Sequence, residues 1–155
     1  MPERAPDFVY TIYIAAEVER VWNGLIDRDL TKAYWSHYNV SDWKPGSRWE
    51  HVRSDESGKV DIVGKVIEIE PPHRLVTSWA FPEDAANPDK VSRVTYELEG
   101  LGSATRLTVT HSELEAESGM EAGIRAGWPA VLSNLKSLIE AGRTMTEEIW
   151  GKKDG

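Results

Sequence analysis

The chain has 155 residues, a formal net charge of −8, 40% hydrophobic and 28% charged residues, and no cysteine. That length suits one domain, residues 1–155, burying roughly 70% of its unfolded surface, and the composition leaves no room for a long disordered half. Without cysteine neither a disulfide framework nor a thiolate zinc site can form. An acidic surface with scattered basic residues repels phosphate backbones, which sets nucleic acid aside as a partner. No signal-length apolar stretch opens the sequence and no run of about 18 apolar residues occurs, so a cytoplasmic protein with no membrane attachment is expected.

Phe8 to Ile14 alternates, with Phe8, Tyr10, Ile12 and Ile14 on one side, and predicts a strand. Val18, Val21, Trp22 and Leu25 then fall at helical spacing, and Asp27 offers an N-cap for a second short helix carrying Leu30, Ala33 and Tyr34. A DNA-reading helix pair would want basic residues on its second helix, where only Arg28 and Lys32 stand. From Tyr38 onward strands dominate: Arg48 to Arg53, then, after the turn at Ser54 to Lys59, Val60 to Ile69. Pro71 and Pro72 belong to a connection because neither can donate to a ladder. Leu75 to Phe81 follows, with Leu75, Thr77, Trp79 and Phe81 on one face, and Pro82 to Lys90 reads as a polar loop. Val91 to Leu98 and Thr105 to His111 form a hairpin around Gly100 and Gly102.

The last element is a long helix. Ser118 and Glu121 match a capping box. Behind them Ile124, Trp128, Val131, Leu135, Leu138 and Gly142 recur at steps of three and four, flanked by Leu132 and Ile139. Pro129 lacks the N–H that would bond the Arg125 carbonyl, so a kink is expected near Gly127 and Trp128. Residues 151–155 should fray. One strand, two short helices, a run of strands and one amphipathic helix predict an α+β protein: a curved antiparallel sheet wrapped around the C-terminal helix, of the helix-grip kind, with a pocket between the two.

Three segments carry a family resemblance: Ile14 through Trp22; Gly64 through Leu75 with Trp79 after it; and Gly127–Trp128 followed by Leu132, Leu135, Lys136, Glu140 and Gly142. Trp43 to Gly46 agrees with them. Together they resemble the family of heat-shock-protein-90 ATPase activator homologues, within the START-like (SRPBCC, Bet v-like) superfamily, over Phe8 to about Gly142. The resemblance implies a folded core over residues 8–142 and a cavity between helix and sheet, which relatives use for lipids, polyketides or other apolar molecules. The chaperone activator carries an additional N-terminal domain that this sequence lacks, which turns the expectation away from a cochaperone role.

Seven tryptophans stand against two phenylalanines. Core filling accounts for any one of them, while several together suit the walls of a cavity for an apolar or aromatic molecule. Strand parity puts Trp49 and His51 on one face; Trp35, Trp79, Tyr96, Ile124 and Trp128 join this expected lining through the resemblance and their apolar character. For a reaction the candidates are His51 or His111 as general base with Tyr96 steadying an oxyanion, as in a cyclase, aromatase or hydratase. Local hydrogen bonding at strand ends explains the same residues. His37, His51, His73 and His111 show no ligand spacing, so no metal and no cofactor is expected. Glu68 and Glu70 read as a solvated strand face, and Arg48, Glu50 and Arg53 as surface pairs. Ligand binding leads; an enzyme of the cyclase type and a module docking on a chaperone or regulator remain open. For assembly the expectation is at most a weakly held homodimer.

Overall fold

The alternating N-terminal stretch forms strand β1 over Phe8–Ile14. The computed structural model describes residues 3–145, so Trp150 and the tail expected to fray lie outside the described residues. Helices α1 (Val18–Ile26) and α2 (Arg28–Trp35) meet at Asp27, which does two jobs. Its N–H closes α1 on the Asn23 carbonyl at 2.8 Å, and its carboxylate accepts the Leu30 N–H at 2.9 Å to start α2. Strands β2 (His37–Ser41), β3 (Arg48–Arg53), β4 (Val60–Glu70), β5 (Arg74–Trp79), β6 (Ser92–Gly100) and β7 (Thr105–Ser112) follow. Helix α3 (Gly119–Ala141) ends the described chain's regular structure.

The seven strands form one antiparallel sheet in the order β1-β7-β6-β5-β4-β3-β2. On β6 and β7 the parity is clean: Ser92, Val94, Tyr96, Leu98 and Thr105, Leu107, Val109, His111 are buried, with the residues between them partly or fully exposed. Alternation of this kind marks a sheet with one covered face. The cover is α3, whose Ile124, Trp128, Val131, Leu132, Leu135 and Ile139 are all buried.

The sheet bends where β4 passes from one partner to the other. Val60 to Lys65 pair with β3, and Val66 to Glu70 pair with β5, with a register shift after Val66. Between those halves the Trp49 indole crosses Gly64, its opposite number on β4, and donates its N–H to the Ser78 carbonyl at 2.8 Å. Ser78 in turn accepts the Lys65 N–H on its hydroxyl at 2.8 Å. A Cβ at residue 64 would collide with the Ser78 carbonyl and the indole nitrogen, so glycine is required by space alone.

Several expectations are corrected in detail. β5 ends at Trp79 rather than Phe81, and Ala80 makes a separate bridge to Val63. The loop at Pro82 to Lys90 contains two 3₁₀ turns, Pro82–Asp84 and Pro88–Lys90, each started by a proline whose missing N–H is not needed there. At the head of α3 Ser118 accepts the Glu121 N–H at 3.0 Å, but Glu121 returns its bond to the Glu117 amide at 2.9 Å, one residue earlier than a capping box. α3 keeps Pro129 within its span and is closed by Gly142, whose φ of 76° is left-handed and whose N–H bonds the Leu138 carbonyl.

Candidate functional site

Sheet parity and the α3 stripe bring a cluster of aromatic rings together. From β3 come Trp49 and His51, from β5 Trp79, from β6 Tyr96 and from β7 His111. Trp35 arrives from the end of α2 and Trp128 from α3. Trp79 sits in the middle, with ring centroids 5.1 Å from Trp49, 5.9 Å from His51, 5.5 Å from His111, 5.5 Å from Trp128 and 6.4 Å from Trp35. Tyr96 meets Trp128 edge-on at 5.9 Å. Trp35 stacks on Trp79 at a 27° interplanar angle and the other pairs are tilted or edge-on.

Two histidines are oriented by buried partners. At His111 the Trp128 Nε1–H donates to Nδ1 at 3.0 Å, and Nε2 lies 2.8 Å from the Ser92 hydroxyl. Ser92 donates its own proton to the Trp79 carbonyl at 3.0 Å, so Nε2 must be the protonated nitrogen. The hydrogen bonds run from Trp128 through His111 and Ser92 to the Trp79 carbonyl, which only accepts. Burial pushes the His111 pKa down to about 3, and both of its nitrogens are occupied. At His51 the Nδ1 contact with Asn39 Oδ1 is 2.6 Å, and an amide oxygen can only accept, so Nδ1 carries the proton. Asn39 is itself pinned through Nδ2 to the Leu25 carbonyl at 3.3 Å. Burial, reinforced by His37 stacked 4.2 Å away and opposed by Asp61, drives the His51 pKa well down.

Beside His51 lies a polar group at the edge of the sheet. His37 Nε2 is 2.8 Å from Asp61, and Arg53 Nε donates to the same carboxylate oxygen at 2.7 Å. Burial opposes ionisation of Asp61, but the bonds from Arg53 and His37 outweigh it and hold the carboxyl below its usual range. Arg48 pairs with Glu50, and Arg74 with Glu68 and Glu97, on the outer surface.

Two openings reach the cluster. One, of about 160 Å³, is apolar and lies between Trp35, Trp79 and the α3 residues Gly123, Ile124, Gly127, Trp128 and Val131. A larger cleft of about 640 Å³ runs from His37, His51 and Asp61 past Trp79 to Phe81 and Glu83. Of the expected lining, Trp35, Trp79, Ile124 and Trp128 border the first opening, and His51 and Trp79 the second. Trp49 and Tyr96 border neither. Trp49 is held across Gly64 by its bond to Ser78, and Tyr96 lies behind Trp128, its phenol pKa raised by burial. His111 is enclosed by the same rings. Among the described residues Thr77 Oγ1 and Trp79 Nε1 are buried with no hydrogen-bond partner.

Sequence reasoning passed over Asn39 and Ser92, which set the histidine tautomers, and over Gly123 and Gly127, which leave the α3 wall bare. The two glycines stand one helical turn apart, and that spacing was the available signal. Among the described residues no three histidine or carboxylate side chains converge on one point, and no helix there is long and apolar enough to cross a membrane.

The family model described as activator of Hsp90 ATPase homolog 1-like protein matches residues 15–140. No curated protein matches the sequence. Among solved structures the chain is similar to CalU16 from Micromonospora echinospora, at 21% identity over 96% of this chain and 88% of that one, with a TM-score of 0.71. It is also similar to an HSP90 activator from Plasmodium falciparum, at 25% identity over 89% and 97% with a TM-score of 0.70. The Aha1 dimer from Colwellia psychrerythraea gives 21% identity over 89% and 98% with a TM-score of 0.71. These likenesses agree with the helix-grip architecture.

Proposed function

The chain belongs to the activator of Hsp90 ATPase homolog 1-like family, and from that premise we propose that it binds a small apolar or aromatic molecule between its sheet and α3. The observation that carries this reading is the apolar opening of about 160 Å³ walled by Trp35, Trp79 and Trp128. A dry cavity of about 150 Å³ holds benzene in another protein, so this space suits one aromatic ring or an equivalent group. Flat indole walls offer dispersion contact to such a ring along its whole face.

Two observations favour binding over the other readings. His111 has no lone pair left to take a proton unless Trp128 releases it, which weakens a His111–Tyr96 acid–base pair. The apolar stripe of α3 is covered by the sheet, and the exposed large hydrophobics, among them Val9, Leu30, Ile67 and Leu101, are scattered over separate elements. That leaves little contiguous apolar surface for docking on a chaperone. The dimer in the name of the Colwellia relative supports a weak homodimer as the assembly to look for.

Quenching of intrinsic tryptophan fluorescence by a panel of apolar and aromatic compounds tests the proposal, with Gly127→Leu as the control. A Cβ at residue 127 meets nothing within 4 Å, so a larger side chain there starts in open space at the border of the opening, and leucine improves helix propensity. Saturable quenching by one chemical class, weakened at least tenfold in a folded Gly127→Leu variant, is the expected result. Quenching unchanged by the leucine would put the ligand elsewhere, and no saturable response from any class would remove the proposal.

A further inference from the structure

The sheet has a second cavity on its outer face, away from α3, where the loop after β5 lies beside β3 and β4. Its volume is about 320 Å³. Strand parity sets what borders it. Trp49 is buried on the inner face, so its neighbours Arg48 and Glu50 turn outward, together with their β4 partners Lys65 and Val63. Val63 is only 2% exposed although it faces outward, and Ala80 bridges to it. Ala85, Ala86 and Val91 from the loop complete the apolar floor.

The polar border of this cavity is made of donors. Arg48 and Lys65 are direct cross-strand partners, and both border it. Like charges placed opposite each other destabilise a sheet. Glu50 accepts from Arg48 Nε at 3.0 Å, but it does not border the cavity, and the terminal guanidinium nitrogens have no acceptor among the described residues. Lys65 has no carboxylate partner among them either. Ser78 borders the same space. Its hydroxyl oxygen accepts the Lys65 amide N–H at 2.8 Å, which leaves the hydroxyl proton to donate. Two cations and a hydroxyl thus stand over an apolar floor, and no carboxylate among the described residues shares the cavity with them.

We propose that this cavity is a further binding site, for a small organic carboxylate whose acid group sits between Arg48 and Lys65 and whose apolar body lies over Val63, Ala80, Ala85 and Ala86. The anion removes the repulsion between the two cations. The planar guanidinium matches a carboxylate in shape, and the ammonium adds a compact charge. An amide of the same acid offers the same body without charge and leaves the cations facing each other. The space is about twice that of a cavity known to hold benzene, which leaves room for a phenyl ring on a short chain. The site lies across the sheet from the α3 opening, so it goes beyond the cavity-binding reading and does not depend on it.

NMR titration of the intact protein with 3-phenylpropionate, 3-phenylpropionamide and acetate tests this. Phenylpropionate should move the backbone amides of Lys65, Ala85 and Ala86. It should bind about tenfold more tightly than the amide, which lacks the charge, and than acetate, which lacks the body. Raising the salt to about 0.5 M should weaken the acid and leave the amide unchanged. Lys65 is exposed and its side chain makes no hydrogen bond among the described residues, so Lys65→Met should fold. That variant keeps the aliphatic stem, and should weaken the acid about tenfold while leaving the amide within about twofold. Equal affinity for acid and amide overturns the proposal, as does acid binding that Lys65→Met leaves unchanged. An acid that instead moves the Trp35 and Trp128 indole signals would sit in the α3 opening, which overturns this site and supports the other. No binding of the acid overturns this site alone.

Discussion

A second proton on His111 would have to sit on Nδ1, face to face with the indole N–H of Trp128. This makes Trp128 two things at once, a large apolar body under the sheet and the donor that holds His111 neutral. Trp128→Phe keeps most of the ring but leaves Nδ1 without a partner, and should cost about 1–3 kcal/mol in urea unfolding. Trp128→Ala also empties the space and should cost about 3–5 kcal/mol. A loss under about 0.5 kcal/mol in Trp128→Phe would show that the N–H contributes nothing. At this scale the sequence exposed the aromatic residues and the polar candidates His51 and His111. It was silent on Ser92 and Asn39, because a serine or asparagine in a strand has no local mark that it will meet an imidazole 19 or 12 residues away.

Strands and helices were legible because their signals repeat within a few residues: side chains alternate along a strand and return every three or four positions along a helix. β1 and β3 fall where alternation put them, and Asp27 caps α2 as its chemistry implies. The β4–β5 junction was less legible. Gly64 looked like one position in a motif, yet its job is to let Trp49 cross the ladder to Ser78. Gly64→Ala should therefore destabilise the fold by about 3 kcal/mol or more, since the obstacle is backbone and cannot swing away. Thermal unfolding checks it, and a drop of under about 1 kcal/mol would mean that the junction relaxes easily.

For the whole molecule the two buried imidazoles set a dependence on pH. His111 is held down to about 3 against an ordinary value of 6.5, and His51 is lowered well below the same value. As pH falls through about 6.5 the unfolded chain takes up a proton on each ring that the folded protein refuses, so the unfolded state binds more protons and stability falls. His111 should remove about 2 kcal/mol of unfolding free energy between pH 7 and pH 5, and His51 acts in the same direction. Urea unfolding at pH 7, 6 and 5 reads the slope directly, and a flat profile would mean that neither ring is buried in its neutral form.

Local periodicity and capping chemistry in the sequence by itself determined the order of elements, the antiparallel sheet and the apolar stripe of α3. Only the tertiary structure decided which tryptophans face open space. Trp49 and Trp79 carry the same signal, an aromatic residue on the inward face of a strand. One is tied down because Gly64 stands opposite it and the Ser78 carbonyl lies within its reach, 29 residues on in the chain. The other finds no acceptor among the described residues, and its ring stands between two openings. That difference depends on strand register and on backbone atoms far away in the chain, and no pattern of neighbouring residues encodes either.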